Sequence, residues 1–205
     1  MAARTEAVVF DLGGVLIDWD PRYLYDTLIP DEERRAFFLG EVCDMEWNAK
    51  MDRGLPFAQA IKTRQEKHPD FASEIAAYFE RWEEMLGGPI QGTVELLEAL
   101  DDARVPIYAL TNWSAETFGH ALARYPFLGR FRDIFVSGEE RVAKPEMNAY
   151  VLLLERNALE PAKTLFIDDR EKNVQAARLA GMQAVTFKGP EELRRELVDR
   201  ELIRE

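Results

Sequence analysis

Short apolar segments rich in β-branched residues alternate with longer segments of helical period along most of this chain. The apolar segments are Ala7–Phe10, Val105–Leu110, Ile134–Val136, Thr164–Ile167 and Gln183–Phe187. Between them lie segments whose apolar residues recur at every third or fourth position, as in amphipathic helices. These are Thr93–Asp102, Ser114–Arg124, Met147–Arg156 and Glu171–Ala180. Strands that alternate with helices favour a parallel sheet covered on both faces, so the sequence predicts a doubly wound, Rossmann-like α/β domain.

Residues at the ends of the helical segments support this assignment. Thr93 and Ser114 stand where N-cap residues are expected, since a hydroxyl there accepts a hydrogen bond from the first turn. Gly181 follows the last helical residue of its segment, where a left-handed glycine commonly ends a helix.

One part of the chain breaks the alternation. Residues 21–86 show no strand pattern but several helical ones, including Asp31–Leu39, Pro56–Lys67 and Phe71–Leu86, and Gly87-Gly88-Pro89 then ends the stretch. We therefore predict an all-helical domain inserted after the first strand. The predicted boundaries give an α/β core of residues 1–18 and 88–205, and an insertion of residues 19–87.

The charge of the chain excludes several kinds of partner. Its formal net charge is −12 over 205 residues, which repels nucleic acid and anionic membrane surfaces, and no basic stripe offsets this field. No apolar run approaches the roughly 18 to 20 residues that span a bilayer, and the N-terminus lacks a signal-peptide pattern. We expect a cytoplasmic protein, and the sequence does not indicate its oligomeric state.

Several polar residues follow the predicted strands, most of them directly and Lys144 in the longer loop after the third strand. In parallel sheets, ligands bind at the carboxyl ends of the strands, so these residues are expected to meet at one edge. In chain order they are Asp11, Thr111, Asn112, Lys144, Asp168 and Asp169. Taken singly, an aspartate there is more often an N-cap and a lysine is more often solvated.

Together, these residues indicate a magnesium site and a phosphate site. Three clustered carboxylates raise one another's pKa unless they share a cation, and Mg²⁺ binds one or two carboxylates alongside phosphate oxygens. Asp11 is then a candidate nucleophile that forms an aspartyl-phosphate. Lys144, the Thr111 hydroxyl and backbone amides near Asn112 would stabilise the phosphoryl oxygens of a small phosphorylated substrate.

Four segments resemble the motifs of the haloacid dehalogenase superfamily of hydrolases, in the same order and with similarly wide spacing. They are Val8–Leu16, Leu110–Asn112, Lys144-Pro145, and Phe166–Asp169 with Asn173. The helical insertion resembles the small cap that closes over the active site in this family and selects the substrate.

This resemblance implies a role for each residue. Asp11 is the expected nucleophile and, with the Gly13 carbonyl, a magnesium ligand. Asp169 is expected to bind the metal directly with Asp168 beside it, while Asn173 steadies the loop. Thr111, Asn112 and Lys144 are expected to bind the substrate phosphate.

Gly13 departs from the pattern of most phosphatases in this superfamily. They carry a second aspartate at this position as general acid and base, a contribution typically worth about 10²–10⁴ in rate. Superfamily dehalogenases also lack it, but they need no metal, and serines usually replace the pair Asp168-Asp169. A branch that resembles sugar-phosphate phosphatases, including glucose-1-phosphatase-like proteins, shares the Asp-Leu-Gly sequence and a pair like Asp18 and Asp20.

Three functions remain open from sequence. The favoured one is a magnesium-dependent phosphatase acting on a small metabolite, preferably a sugar phosphate. The second is a 2-haloacid dehalogenase-type hydrolase that also uses Asp11 as nucleophile. The third is a non-catalytic member that keeps the pocket to bind a ligand.

Asp18, Asp20 and Glu46 are the candidates for replacing the missing acid, although a capping or solvated carboxylate is the favoured interpretation of each. Under that interpretation, Asp20→Asn should leave turnover nearly unchanged, because the amide oxygen keeps the capping interaction. Steady-state kinetics on a hydrolysed substrate test this expectation. A hundredfold loss in kcat would contradict it.

Overall fold

A computed structural model describes residues 3–204. Their strands are β1 (Ala7–Phe10), β2 (Ile17–Trp19), β3 (Leu86–Pro89), β4 (Ile107–Thr111), β5 (Ile134–Val136), β6 (Thr164–Asp168) and β7 (Gln183–Thr186). Their α-helices are α1 (Arg22–Leu28), α2 (Glu32–Phe37), α3 (Met45–Met51), α4 (Phe57–Lys67), α5 (Ala72–Glu80), α6 (Gln91–Asp102), α7 (Ala115–Arg124), α8 (Ser137–Glu140), α9 (Met147–Arg156), α10 (Glu171–Leu179) and α11 (Pro190–Asp199). Within this part of the chain, no helix combines the length and apolarity needed to cross a membrane.

Five strands form one parallel sheet in the order β5-β4-β1-β6-β7. The first strand is central, because Val9 pairs with Tyr108 of β4 on one side and with Phe166 of β6 on the other. The chain therefore winds outward from β1 in both directions. The predicted doubly wound α/β fold is confirmed.

Helices cover both faces of the sheet, which explains why the strands are apolar without interruption. Val8 and Phe10 of β1 point into a core shared with α6, α7 and α11. Ala7 and Val9 point into a second core, shared with α9 and α10. All four side chains are buried, so neither face of the strand can carry a polar residue without a buried partner.

The segment between β2 and β3 contains α1 to α5 and has an aromatic core of its own. The Tyr25 and Phe38 rings lie 4.6 Å apart, and Trp47 meets Tyr78 edge to face at 4.9 Å. These residues join the same apolar cluster as Val8 and Phe10. The insertion thus packs as a continuation of the core on one face of the sheet.

The ribbon of β2 and β3 was not predicted. The two strands pair antiparallel, with Ile17 opposite Pro89 and Asp18 opposite Gly88, so the chain leaves and re-enters the core at one place. Neither strand has a readable pattern, because β2 has only three residues and β3 consists of Leu-Gly-Gly-Pro. The predicted domain boundaries fall inside this ribbon and remain a prediction.

The single helix predicted for residues 71–86 is wrong. A 3₁₀ turn (Pro69–Phe71) precedes α5, which ends at Glu80, and a second 3₁₀ turn (Trp82–Met85) leads into β3. The predicted helix over Asp31–Leu39 is likewise divided, since α2 gives way to a π-helical turn at Phe38–Val42. The pattern of apolar residues does not reveal such breaks, because apolar residues are buried at similar spacing before and after each of them.

Of the three capping predictions, those for Ser114 and Gly181 are confirmed and that for Thr93 is wrong. Ser114 is an N-cap, accepting a hydrogen bond from the Glu116 amide, and Gly181 follows α10 with a φ of +86°. Thr93 is not a cap. The helix begins two residues earlier, because the Ile90 carbonyl already accepts the amides of Thr93 and Val94.

The fold predicts unequal responses to alanine at two glycines. A β-carbon at Gly138 would overlap the backbone of the segment after β4, lying 2.7 Å from the Trp113 carbonyl oxygen. Gly138→Ala should lower the free energy of unfolding by about 1–3 kcal/mol, measured by urea denaturation. The matched control is Gly119→Ala in α7, where a β-carbon meets nothing within 4 Å and helix propensity predicts a gain of about 0.5–1 kcal/mol. Equal stabilities for the two variants would contradict this packing.

Candidate active site

Asp11 follows β1 and opens a tight turn at the carboxyl edge of the sheet. Its Oδ1 accepts the Leu12 amide at 2.7 Å, and the turn is closed by Gly14, whose φ is +75°. A β-carbon on Gly14 would lie 2.8 Å from Oδ2 of Asp169. Glycine therefore serves two purposes here, since it permits the left-handed turn and lets Asp169 approach the loop after β1.

Lys144 lies between two of the predicted carboxylates. Its Nζ is 2.8 Å from Oδ1 of Asp11 and 2.7 Å from Oδ2 of Asp168, and only 2% of the residue is exposed. The solvated lysine that a single-residue interpretation favours is therefore excluded. In this buried setting the ammonium compensates both carboxylates, and each carboxylate in turn makes its burial tolerable.

Asn112 fixes the backbone of Lys144. Its side-chain amide donates to the Lys144 carbonyl at 2.9 Å and accepts the Lys144 amide at 2.9 Å. The loop after β5 is thereby tied to the end of β4. The contacts of Asn112 assign it this positioning role, and its predicted part in phosphate binding remains a prediction.

Asp168 is completely buried and fully hydrogen-bonded. Besides Lys144, it accepts the Arg170 amide at 2.8 Å, and Asn173 donates to both of its oxygens at 2.9 and 3.0 Å. Burial by itself raises the pKa of Asp168, but Lys144 and these hydrogen bonds outweigh it and hold the pKa below its usual value. Asp168 is thus the charged partner that keeps Lys144 in place.

In Asp11 and Asp169, the other two carboxylates of the cluster, the pKa is raised instead. Burial raises the pKa of Asp11 to about 8, with Lys144 opposing this rise and Asp168 adding to it. Burial and the charge of Asp168 also raise the pKa of Asp169. Asp11, Asp168 and Asp169 each offer an oxygen within 4.8 Å of the others. One lysine does not compensate three carboxylates, so the cluster favours an additional cation.

A cavity of about 420 Å³ lies above this cluster, between the sheet edge and the insertion, within the usual size range of small-molecule sites. Asp11, Gly13, Lys144 and Asp169 contribute to its polar end. Its other walls include the aromatic residues Trp19, Phe57, Trp82 and Trp113. Thr111 is buried at the end of β4 and is not among the lining residues, so its predicted contact with phosphate remains a prediction.

Several lining residues were missed from sequence. Arg170 and Lys172 follow Asp169 around the start of α10, so the strand-end rule that identified Asp169 could also have found them. Asp52 comes from the insertion, where no pattern shows which residues face the core. With Arg53, which also lines the cavity, Arg170 and Lys172 bring positive charge to its walls in a strongly acidic protein.

Polar contacts hold the insertion against the core beside the cavity. Ser137 Oγ donates to the Asp52 carbonyl at 2.5 Å, and the Phe57 amide donates to Glu116 at 2.7 Å. Arg53 lies 3.1 Å from Glu146. The residues that line the upper part of the cavity are therefore positioned by core side chains.

The three candidates for the missing acid are placed differently. Asp20 lines the cavity but accepts the Arg22 amide at 2.8 Å, as a capping carboxylate does. Asp18 accepts the Tyr23 hydroxyl at 2.5 Å. Glu46 is exposed on α3 and is not among the lining residues.

A family model for haloacid dehalogenase-like hydrolases matches residues 5–181. The chain belongs to this family. The match extends from the nucleophile loop through the Asp168-Asp169 pair and includes the helical insertion. The superfamily resemblance inferred from four motifs is confirmed, and the chain is a hydrolase of this family.

Among haloacid dehalogenase-like relatives, a sesquiterpene phosphatase of Aspergillus oryzae is 30% identical over 89% of this chain and 89% of its own length. A phosphorylated carbohydrates phosphatase of Thermotoga maritima is 25% identical over 88% of this chain and 83% of its own length. A family enzyme of Bacteroides thetaiotaomicron, solved with magnesium and inorganic phosphate, superposes with a TM-score of 0.69. It covers 90% of this chain and 95% of its own, at 21% identity, and so supports the fold.

The buried charge cluster predicts a large cost for removing its lysine. Lys144→Met should lower the free energy of unfolding by about 3–5 kcal/mol at neutral pH, because Asp11 and Asp168 lose their cation while buried. Adding Asp168→Asn should recover part of this loss, since one uncompensated charge is then removed. Urea denaturation of the single and double variants tests both expectations.

Lys163→Met is the matched control, because Lys163 is a half-exposed lysine whose ion pairs with Glu6 and Glu160 lie at the surface. It should show no comparable loss. Equal effects at positions 144 and 163 would mean that Lys144 does not compensate the buried carboxylates.

Proposed function

We propose that this chain is a magnesium-dependent phosphomonoesterase that hydrolyses a small phosphorylated metabolite through an aspartyl-phosphate on Asp11. The observation that carries the proposal is the position of Asp11. Its carboxylate lies at the polar end of a 420 Å³ cavity, 2.8 Å from a buried lysine and within one oxygen cluster with Asp169. Nucleophile, cation and metal ligands thus share one site.

The proposed reaction has two displacements. An oxygen of Asp11 attacks phosphorus, and the bond from phosphorus to the substrate oxygen breaks. That oxygen leaves with the bonding electron pair and takes up a proton to become the alcohol, and the water of the second displacement gives up a proton in return. Water then attacks the phosphorus of the aspartyl-phosphate, which releases inorganic phosphate and restores Asp11. Lys144 favours the charged form of Asp11 and neutralises charge on the phosphoryl oxygens, the main requirement of phosphoryl transfer. Thr111 and Asn112 are the further proposed phosphate contacts.

The residues present fit a magnesium ion. We assign Asp11, Asp169 and the Gly13 carbonyl as its direct ligands, in keeping with the preference of Mg²⁺ for oxygen and for one or two carboxylates. Asp168, whose oxygens already accept Lys144, Asn173 and Arg170, completes the acidic cluster beside them. The ion would supply charge neutralisation at the transferring phosphoryl group.

The acidic cluster also weighs against the dehalogenase alternative. Expulsion of halide by Asp11 needs no metal, whereas Asp169 beside Asp11 adds negative charge that would repel a haloacid carboxylate unless a cation is bound. The curated relatives named above are phosphatases. A dehalogenase would retain activity in chelator and release halide.

The residues that line the cavity indicate which kind of substrate it suits. A sugar phosphate is the substrate favoured from sequence, and the Thermotoga relative acts on phosphorylated carbohydrates. The aromatic residues of the cavity wall favour a more apolar alcohol, and the Aspergillus relative is a sesquiterpene phosphatase. Trp82 and Trp113, with ring centroids 5.4 Å apart, would contact the alcohol in either case.

Phosphate release tests the proposal directly. The purified protein should release phosphate from aryl phosphates with magnesium, and lose this activity in excess chelator because the acidic cluster then repels the substrate. Asp11→Asn should reduce kcat by at least about 10³, since no covalent intermediate can form. A panel of sugar and prenyl monophosphates, compared by kcat/KM, then identifies the alcohol.

Asp102→Asn, at the exposed end of α6, is the matched control and should match the wild type. Phosphate release that persists in Asp11→Asn would overturn the assignment of the nucleophile. Halide release from a 2-haloacid in chelator, without phosphatase activity, would favour the dehalogenase. Tight binding of phosphate without turnover of either substrate class would favour the non-catalytic alternative.

A further inference from the structure

Asp52 brings a carboxyl group to the cavity from the insertion. It follows α3 directly and lines the cavity that Asp11, Lys144 and Asp169 also line. Of the described residues that line this cavity, only Asp20 and Asp52 carry carboxyl groups outside the acidic cluster. Asp52 therefore borders the cavity that a substrate on Asp11 would occupy.

A chain of hydrogen bonds fixes the Asp52 side chain. Asn48 donates to Oδ2 of Asp52 at 3.1 Å, and the buried Tyr78 hydroxyl donates to Oδ1 of Asn48 at 3.0 Å. Asn48 is 8% exposed and Tyr78 is fully buried. This donor engages Oδ2 of Asp52 and fixes the orientation of the carboxyl group.

The backbone of Asp52 is fixed to the phosphate-binding side of the core. Its carbonyl accepts the Ser137 hydroxyl, and the oxygen of that hydroxyl accepts the Trp113 amide at 3.0 Å. Trp113 directly follows Asn112, which holds Lys144. Asp52 is thus positioned relative to the proposed phosphate site by two hydrogen bonds, although it belongs to a different part of the chain.

The surroundings of Asp52 suit a group that exchanges protons. Burial raises the pKa of Asp52 to about 7, against the opposing charges of Arg170 and Arg53. Both protonation states are then populated near neutral pH, as a general acid that later acts as a base requires. Asp20 differs in its contacts, since its Oδ1 accepts the Arg22 amide as a capping carboxylate does.

The vacant position at Gly13 is consistent with an acid supplied from elsewhere. A β-carbon at Gly13 would meet nothing within 4 Å, and its φ is not among the positive values in the chain. Glycine is therefore not required there by crowding or by the backbone. The proton donor expected two residues after Asp11 is missing, while a carboxyl group from the insertion lines the same cavity.

We propose that Asp52 is the general acid and base of the reaction, in place of the residue absent at Gly13. The inference rests on the proposed phosphatase function. As Asp11 attacks phosphorus and the bond to the leaving oxygen breaks, the Asp52 carboxyl gives its proton to that oxygen, so a neutral alcohol departs. In the second displacement the Asp52 carboxylate takes a proton from the attacking water, which restores the starting state.

Leaving-group dependence tests this role. Kinetics of wild type and Asp52→Asn are compared on phenyl phosphate and on 4-nitrophenyl phosphate, with magnesium. Phenolate is the poorer leaving group and needs the proton more, so kcat/KM should fall about 10²–10⁴-fold on phenyl phosphate and much less on 4-nitrophenyl phosphate. The second displacement is common to both substrates and slows equally for both, so the parameter compared is kcat/KM, which reports the steps up to departure of the alcohol.

A rescue variant distinguishes a general-acid role of Asp52 from a purely structural role. Adding Gly13→Asp to Asp52→Asn places a carboxyl group at the open position and should raise kcat/KM on phenyl phosphate at least tenfold above that of Asp52→Asn. Glu46→Gln, at an exposed glutamate of the helix that precedes Asp52, is the matched control and should leave both rates unchanged. Carboxyl ¹³C NMR of the whole protein gives an independent readout, in which the signal lost in Asp52→Asn should titrate near neutral pH.

The outcomes distinguish the two proposals. If wild type shows no Asp11-dependent phosphate release, the proposed function fails and the role of Asp52 fails with it. If wild type is active but Asp52→Asn lowers kcat/KM equally on both substrates, Asp52 is a structural or binding residue and the inference is overturned. An Asp52 signal that titrates near pH 4 would also overturn it. A selective loss on phenyl phosphate in Asp20→Asn instead would assign the acid to Asp20.

Discussion

The site depends on the Lys144 ammonium, which lies buried between Asp11 and Asp168. Such a group is tolerated in the interior only when its charge and donors are satisfied. Asp168 is held by Asn173, and the Lys144 backbone is held by Asn112. The ends of β1, β4 and β6 and the loop after β5 therefore meet at one charge cluster, and none of these connections can shift without leaving a buried charge unpaired.

The core and the insertion contribute different parts of the cavity. The core contributes the polar end of the cavity, where three carboxylates exceed the charge of one lysine and leave room for a cation. The insertion contributes aromatic walls and Asp52. Contacts such as Ser137 with the Asp52 carbonyl join them. In the proposed function, phosphate chemistry therefore belongs to the core and the choice of alcohol to the insertion.

Local charge also resolves the apparent conflict between an anionic substrate and an acidic protein. The net charge of −12 acts over the whole surface and is screened within about 10 Å at ordinary ionic strength. Lys144 is buried at the cavity, and Arg53, Arg170 and Lys172 line it. At the short distances inside a partly desolvated cavity, these cations, together with the magnesium ion of the proposed function, offset the carboxylates that line the cavity, while the carboxylates elsewhere on the surface are screened.

The sequence by itself determined the fold class, the order of the strands along the chain and the residues that follow them, because burial on both faces of a parallel sheet imposes an apolar pattern and directs the following residues to one edge. Asp11, Lys144 and Asp169 were found in this way. Only the tertiary structure decided that Thr93 lies inside a helix, that β2 and β3 pair, and that Asp52 reaches the cavity. These features depend on contacts between residues far apart in the chain, and neither local propensity nor periodicity records which distant partner a side chain will meet.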